Sequence, residues 1–394
     1  MQLTIKQEQG LKIAVDRFKD NEKYTTISGF AGTGKSTLVK FIIDALNVDP
    51  SKVAYAAYTG KAAEVLRKKG NANALTLHNL LYDSIPRPGG GFFRKPKMRL
   101  DYTIVVVDEC SMVPKTMVDM LLKHKVYVIF LGDPFQLPVI NKNEENHLLD
   151  HPHIFLDEIM RQAAESEIIQ LTMKIRKFEP FEEIKGDEVK IFNKNELNTG
   201  MLLWADQVIC ATNLTRFNLN NQIRELLGYT GTIQNGEKLI IKRNYWDCIN
   251  QDNNPLVNGM TGTIINPIES FRRIPSFIQN DRHDLPIIIG NFIPDGDLEF
   301  SNLEIDKDFL LKETPCVNWR VAYKLGQLKM RTGEEYIPKE ITYGYCITGH
   351  AAQGSEWDKV LVVEERFPFD KKEHARWLYT CCTRSSSKLV LIRQ

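Results

Sequence analysis

Apolar positions in the first third of the chain follow two alternating rhythms. "YTTI" and "KVAYAAY" are short runs that read as strands, whereas "STLVKFIIDAL" and "TGKAAEVLRKKG" place apolar residues at helical spacing, the second closed by Gly70. "YTIVVVDE" and "KVYVIFLGD" are near-continuous apolar runs, as expected of strands covered by helices on both faces. Strand and helix alternating over residues 1–150 predict an α/β unit with a parallel sheet. Between its elements lies a short apolar piece, "ALTLHNLLY", followed by "DSIPRPGGGFFRKPKMRL". The latter is rich in Pro, Gly and base, and predicts a loop or small hairpin at about 82–100.

The texture changes near residue 150. "FEPFEEIKGDEVKIFNKNELNTG", residues 178–200, is polar and charge-dense and reads as a surface connection. "DQVICATN" restores a buried strand, and "LTRFNLNNQIRELLG" a helix ended by Gly228. Residues 265–340 are short strand-like pieces broken by Pro, Gly and Asn, which predicts a small β-rich insertion. "EITYGYCITGH", "KVLVVEE", "HARWLYTCCTR" and "SKLVLI" then resume strand and helix. The pattern is two α/β units, the second interrupted, with no internal repeat of 20–50 residues.

Composition adds limits. A chain of 394 residues is long for one core, and an apolar content of 43% is that of a globular protein. No apolar run reaches the ~18 residues of a membrane span, and "MQLTIKQEQG" has no signal-peptide character. Seven cysteines form no C-x-x-C pair, which predicts reduced thiols in a cytoplasmic protein and no zinc or iron–sulfur framework. A net charge of +1 leaves nucleic acid open, since a groove gripping a few phosphates needs no overall basic charge.

Candidate chemistry begins at "GFAGTGKSTL". It fits G-x-x-x-x-G-K-[ST] through Gly29, Gly34, Lys35 and Ser36, with a strand before it and a helix after it. Glycines let backbone amides turn inward around phosphates, and the helix N-terminus adds partial positive charge. Lys35 is expected on the β- and γ-phosphates of ATP and Ser36 on Mg2+. "VVVDECSM" ends a strand in Asp108 and Glu109, the first suited to hold the metal and the second to deprotonate an attacking water. A water-activating acid points to hydrolysis rather than to a kinase. In "FLGDPFQLPVI", the amide of Gln136 is a candidate sensor of the γ-phosphate.

Taken in order, these motifs resemble the superfamily 1 helicases, nearest to the RecD and Dda type (superfamily 1B) that moves 5′ to 3′. The resemblance runs nearly end to end. "LTIKQEQGL" resembles the adenine-reading element, putting Gln7 on the base; "GFAGTGKST" matches motif I, including Gly32, Thr33 and Thr37, and "AAYTGKAAEVL" motif Ia. "VVVDECSM" matches motif II, "LGDPFQLP" motif III, and "LDEIMRQ" motif IV with Arg161 as one arginine finger. "ITGHAAQGSEWDKV" matches motif V, with Gln353, Gly354 and Glu356 at the nucleotide, and "LYTCCTRSSSKL" motif VI with Arg384 as the other finger. Tyr58 stands where the family usually has Pro, and Ala351 where it often has Lys.

The resemblance implies an α/β fold of two RecA-like P-loop domains. Residues 1–150 would form the first, carrying a β-hairpin pin at about 82–100. Residues 151–264 and 341–394 would form the second, with an SH3-like insertion at 265–340. It implies a DNA-dependent ATPase that moves on single-stranded DNA without sequence preference. Thr59, Lys61, Thr76, His78, Asn213, Thr348 and His350 would contact the strand. Phe92 and Phe93, between three glycines and a basic cluster, either stack on the first base pair of a duplex or anchor the loop on the core. The expected partners are single strands, duplex junctions and replication or recombination proteins, with the chain monomeric in a bacterial or phage-infected cytoplasm. Two other functions stay open: a translocase or RNA remodeller without strand separation, and a regulatory P-loop ATPase.

Overall fold

The architecture was read from a computed structural model, which describes residues 3–86, 92–138, 142–181, 186–251, 254–278, 284–296, 298–366 and 370–394. The side chains of Ser84, Pro86, Phe92, Phe93, Lys142, Arg161 and Gln162 also lie outside the described set. The chain opens with α1 (Ile5–Lys19), β1 (Tyr24–Gly29), α2 (Lys35–Leu46), β2 (Val53–Ala57), α3 (Gly60–Lys68), β3 (Leu75–Thr76) and α4 (Leu77–Leu81). A hairpin, β4 (Tyr82–Pro86) and β5 (Phe92–Pro96), precedes β6 (Ile104–Val107), α5 (Lys115–Leu121), β7 (Tyr127–Gly132) and β8 (Ile154–Leu156). These strands, apart from the hairpin, form a six-stranded parallel sheet in the order β3-β2-β6-β7-β1-β8. Ala14 of α1 and Leu38, Val39 and Ile42 of α2 pack on Ile27, Ile104, Ile129 and Leu131, which is why the strands read as unbroken apolar runs.

A second parallel sheet follows. It draws on α6 (Arg161–Ala164), α7 (Glu167–Lys177), β9 (Val189–Asn193), α8 (Thr199–Trp204), β10 (Gln207–Cys210) and α9 (Asn213–Leu226). Then come β11 (Lys238–Ile241), β12 (Tyr245–Ile249), β13 (Pro255–Leu256), β14 (Thr261–Arg273), β15 (Asp284–Pro294) and β16 (Phe300–Asp306). The chain ends with α10 (Lys307–Lys312), α11 (Trp319–Thr332), β17 (Ile341–Tyr343), β18 (Cys346–Thr348), β19 (Trp357–Val363), α12 (Lys371–Cys382) and β20 (Ser385–Arg393). The second sheet runs β18-β10-β19-β20-β9, and a five-stranded antiparallel sheet runs β16-β15-β14-β11-β17.

The chain divides into two compact units. Met1–Leu81, Lys97–Phe217 and Ile347–Gln394, with both parallel sheets, form one; Tyr82–Pro96 and Asn218–Cys346 form the other. The predicted boundaries shift accordingly. β8 pairs with β1, so the first module continues past residue 150. The antiparallel sheet starts at Lys238 rather than 265, and its hairpin strands are long rather than short. Asn266 and Pro267 look like a break in the sequence, but the register shifts there, with Asn266 at φ 52, and β14 continues past a bulge. Two helices, α10 and α11, lie within the stretch expected to be β-rich. Asn318 caps the second through the amides of Arg320 and Val321, and Gly333 ends it at φ 78. The polar connection at 178–200 supplies β9, a sheet edge whose one exposed side accounts for its charge. β4 and β5 pair antiparallel, and Arg94 lies 4.9 Å over the ring of Trp246 in the same unit.

Candidate active site

β1 delivers the chain to Gly29, and the loop turns into α2 through Gly32 and Gly34 at φ 77 and 78. Side-chain-bearing residues rarely take that conformation. At Gly29 the constraint is space: a Cβ would sit 2.7 Å from Thr33 Oγ1 and 2.9 Å from the Leu156 carbonyl. Gly34 is the N-cap of α2 and supplies no side-chain acceptor, so the first amides of this 12-residue helix remain available to an anion. Lys35 donates to the carbonyls of Gly29 and Phe30 at 2.7 and 2.9 Å, holding its ammonium beside the loop.

β6 and β7 end beside this loop. Asp108 follows β6 and accepts from the Glu109 amide at 2.8 Å; burial and the neighbouring Glu109 push its carboxyl above the usual carboxylate range. Glu109 takes a left-handed backbone, φ 50 and ψ 45, which costs a non-glycine residue about 1 kcal/mol. Asp133, after β7, is buried and also shifted up by desolvation. Arg384, at the end of α12, is 5% exposed and donates to the carbonyls of Thr380 and Ser355 at 3.0 and 3.3 Å. Its guanidinium lies 3.7 Å from Glu109. Gln136 sits between the two; with its amide oriented to satisfy both, it donates to Glu109 and accepts from Arg384, each at 3.1 Å.

These groups surround a cavity of about 480 Å3. Gly32, Thr33, Gly34, Lys35, Ser36, Thr37, Asp108, Glu109 and Gln136 line it from the first module, and Gly354, Glu356 and Arg384 from the second. Three further residues expected at the nucleotide are not among the groups lining this cavity. Gln7 is buried, closes a capping box with Thr4 and donates to the Thr33 carbonyl at 3.3 Å. Gly29 ends β1, and Gln353 donates to the Leu137 carbonyl. Glu356 lines the cavity but also pairs with Lys69 at 2.8 Å. Arg161 begins α6, and its side chain lies outside the described residues.

The sequence reading missed several partners. Tyr379 of α12 accepts from the Ala31 amide of the phosphate loop at 3.0 Å and donates to Asp133. Thr380 accepts from the Leu137 amide at 3.0 Å, and Arg376 donates to the carbonyls of Pro134 and Gln136. Arg176 of α7 lies 3.4 Å over the Phe30 ring in the phosphate loop. The only signal available in the sequence was that α12 carries hydroxyls among its apolar residues.

Family models match at both ends of the chain: the AAA domain family over residues 4–187 and the UvrD-like helicase C-terminal domain over 343–392. In these matches the chain resembles the superfamily 1B helicases of the RecD, Dda and Pif1 type. It is 26% identical over 385 residues to the ATP-dependent RecD2 DNA helicase of Deinococcus radiodurans, covering 93% of this chain and 46% of that protein. It is 29% identical over 149 residues to the ATP-dependent DNA helicase dda of Enterobacteria phage T4, 36% of this chain and 34% of that one. The chain thus spans less than half the length of these curated relatives. A Pif1 helicase from Bacteroides, solved in complex with ADP-AlF3 and ssDNA, superposes with TM-score 0.52 at 17% identity over 99% of this chain and 92% of its own. The shared fold makes the two parallel sheets RecA-like domains.

The residues expected on a strand are distributed over both RecA-like domains. Thr59, Thr76, Asn213 and Thr348 lie at or just past the carboxyl ends of β2, β3, β10 and β18, where open α/β sheets bind ligands. Thr59 caps α3 by accepting from the Ala62 amide at 3.1 Å, and Thr76 accepts from the Asn79 amide at 3.2 Å. Lys61 pairs with the buried Glu64 at 3.2 Å. Tyr58, the departure from the usual proline, packs against His78 with ring centroids 5.7 Å apart and planes tilted by 42°. Asn213 is exposed and accepts from Arg216 at 3.3 Å. His350 is half-buried, and desolvation lowers its pKa, leaving a neutral imidazole that can donate from one nitrogen.

Proposed function

We propose that the chain is an ATP-driven helicase that moves 5′ to 3′ on single-stranded DNA and separates duplex. The observation that supports this most strongly is the Glu109–Gln136–Arg384 cluster at the phosphate loop, because it joins groups of both RecA-like domains at one cavity. The loop amides and Lys35 hold the phosphates of ATP. A carboxylate and a hydroxyl in one cavity, with Asp108 already penalised for its charge, fit a hard divalent cation, so Ser36 and Asp108 would hold Mg2+. When bound, that ion neutralises charge on the phosphate oxygens. Glu109 orients the attacking water and takes its proton, and Arg384 stabilises the charge that develops on the γ-phosphate. Gln136 touches both groups, so departure of the γ-phosphate is felt by the two domains together. Closing and reopening this cavity changes the spacing of the loops that carry Thr59 and Thr76 on one domain and Asn213, Thr348 and His350 on the other, and a strand held there advances.

Phe92 and Phe93, on β5 with side chains outside the described set, are proposed as the wedge. The substrates are single strands and duplex junctions, the energy source is ATP with Mg2+, and the working form is a monomer in a DNA-containing cytoplasm. The test compares two partial duplexes, one with a 5′ and one with a 3′ single-stranded tail, in the intact protein, Lys35→Ala and Phe92→Ala/Phe93→Ala. Unwinding of the 5′-tailed substrate alone is expected, lost in both variants, with strand-stimulated ATPase kept in the phenylalanine variant. Stimulated ATPase with neither duplex opened would make the protein a translocase or RNA remodeller; absence of stimulation would make it a regulatory ATPase.

A further inference from the structure

The outward face of α11 has a composition that its own fold does not require. Val321 and Leu325 point inward, packing with Ile274, Ile278, Leu285 and Val317. On the opposite side, Trp319, Tyr323 and Met330 are 75%, 65% and 73% exposed. Their spacing of four and then seven residues aligns them in one stripe. Gly326 sits on the same stripe, where an added Cβ would meet nothing within 4 Å and no left-handed backbone calls for glycine. A glycine in a helix interior costs stability, and here it leaves a recess between Tyr323 and Met330.

A second stripe runs beside the first, one residue on: Arg320, Lys324, Gln327 and Arg331. The helix contains no acidic residue, and Arg320, Lys324 and Arg331 make no ion pair among the described residues. Like charges four apart, as in Arg320 and Lys324, weaken a helix. The Arg320 guanidinium lies 5.3 Å from the Trp319 ring, and Gln327 donates to the Tyr323 hydroxyl at 2.9 Å. Lys324 donates to the Ile278 carbonyl at 3.3 Å, bringing the loop of Phe277, itself 72% exposed, alongside.

We infer that this face binds single-stranded nucleic acid, as a contact separate from the strand-end loops of the RecA-like domains. A single strand presents an anionic backbone beside a row of aromatic faces, and α11 presents a cationic stripe beside an aromatic one. Trp319 and Tyr323, and likewise Arg320 and Lys324, are offset by ~6 Å along the helix, a nucleotide-scale step. Base stacking and phosphate contact are both tolerant of sequence. The inference rests on the helicase reading for the source of the strand, but it can fail separately.

The test uses the full chain with Trp319→Ala/Tyr323→Ala and Arg320→Glu/Lys324→Glu; all four residues are exposed, and circular dichroism verifies the fold. Fluorescence anisotropy of labelled oligothymidylates of increasing length is read without ATP, and the DNA concentration for half-maximal ATPase with it. Both variants are expected to bind long oligomers about tenfold more weakly while short ones bind as before. Turnover at saturating DNA should be unchanged, and the charge variant should lose salt dependence. Affinity unchanged at every length overturns the inference, whether or not the ATPase responds, and assigns the face to another partner such as an acidic protein segment. A parent protein that binds the oligomers without ATPase stimulation sinks the helicase reading, and the length-dependent loss then still decides the face.

Discussion

The hydroxyl of Tyr379 touches two loops at once, the Ala31 amide and the Asp133 carboxylate, so one oxygen of α12 braces the phosphate loop against the end of β7. Tyr379→Phe removes that oxygen alone and leaves a buried amide and acid with unmet demands, at a cost of about 1–3 kcal/mol. Turnover of ATP should fall roughly tenfold through misplacement of the loop. Because the residue positions rather than reacts, the loss should appear in kcat and in nucleotide affinity together, as steady-state kinetics with ATP would measure. Asp108 gives the opposite balance. Its folded-state pKa lies above the unfolded one, so the stability that this shift confers is present at low pH and lost as pH rises through the folded value. Asp108→Asn should therefore melt higher than the parent at neutral pH while losing ATPase, and calorimetry should find the gap narrowing as acid protonates the parent's carboxyl.

Among the elements, α9 is tied to β11 by a buried bidentate pair: Arg224 donates to both carboxylate oxygens of Glu237 at 2.6 and 2.8 Å, and its guanidinium lies 4.0 Å from the Tyr343 ring. Glu237→Gln should destabilise the antiparallel unit by about 3–5 kcal/mol, measured by urea unfolding, since a buried guanidinium would lose its counter-charge. Gly326→Ala should move stability the other way, by about 0.5–1 kcal/mol, because nothing in α11 packs against that position. At this scale the sequence was readable where one rhythm dominated, as in β1, β6, β7 and α2. It was misread where local composition conflicted with pairing. The charge of β9 reflects a sheet edge rather than a loop, and Asn266–Pro267 marks a bulge within a long strand rather than its end. The helix α11 was hidden because its outward side carries the aromatic residues that propensity assigns to strands.

For the molecule as a whole, the deciding contact is between groups more than two hundred residues apart. Arg384, from the end of α12, reaches Glu109 and Gln136 after β6 and β7. Arg384→Ala should lower DNA-stimulated turnover on the order of 10³-fold while a fluorescent ATP analogue still binds, because the phosphate loop that holds it is intact. Binding lost as fully as turnover would instead make Arg384 a structural support for the cavity.

The sequence by itself determined what local chemistry can encode. The loop from Gly29 to Ser36 needs particular backbone angles, Asp108–Glu109 ends a strand, and the order of motifs carries the resemblance to superfamily 1 helicases. The first two signals are short-range, each complete within about ten residues, and the third is the linear order of such short motifs. Tertiary structure decided which residues face the cavity and which brace it. Gln7, Gln353 and Thr59 carry side chains suited to ligands, yet each has a protein partner in its wall or helix cap. Tyr379, Thr380 and Arg376 look like ordinary helix residues until the α12 helix is set against the loops after β1 and β7. A hydrogen bond between elements depends on where the chain places both partners, and linear spacing carries no record of that distance.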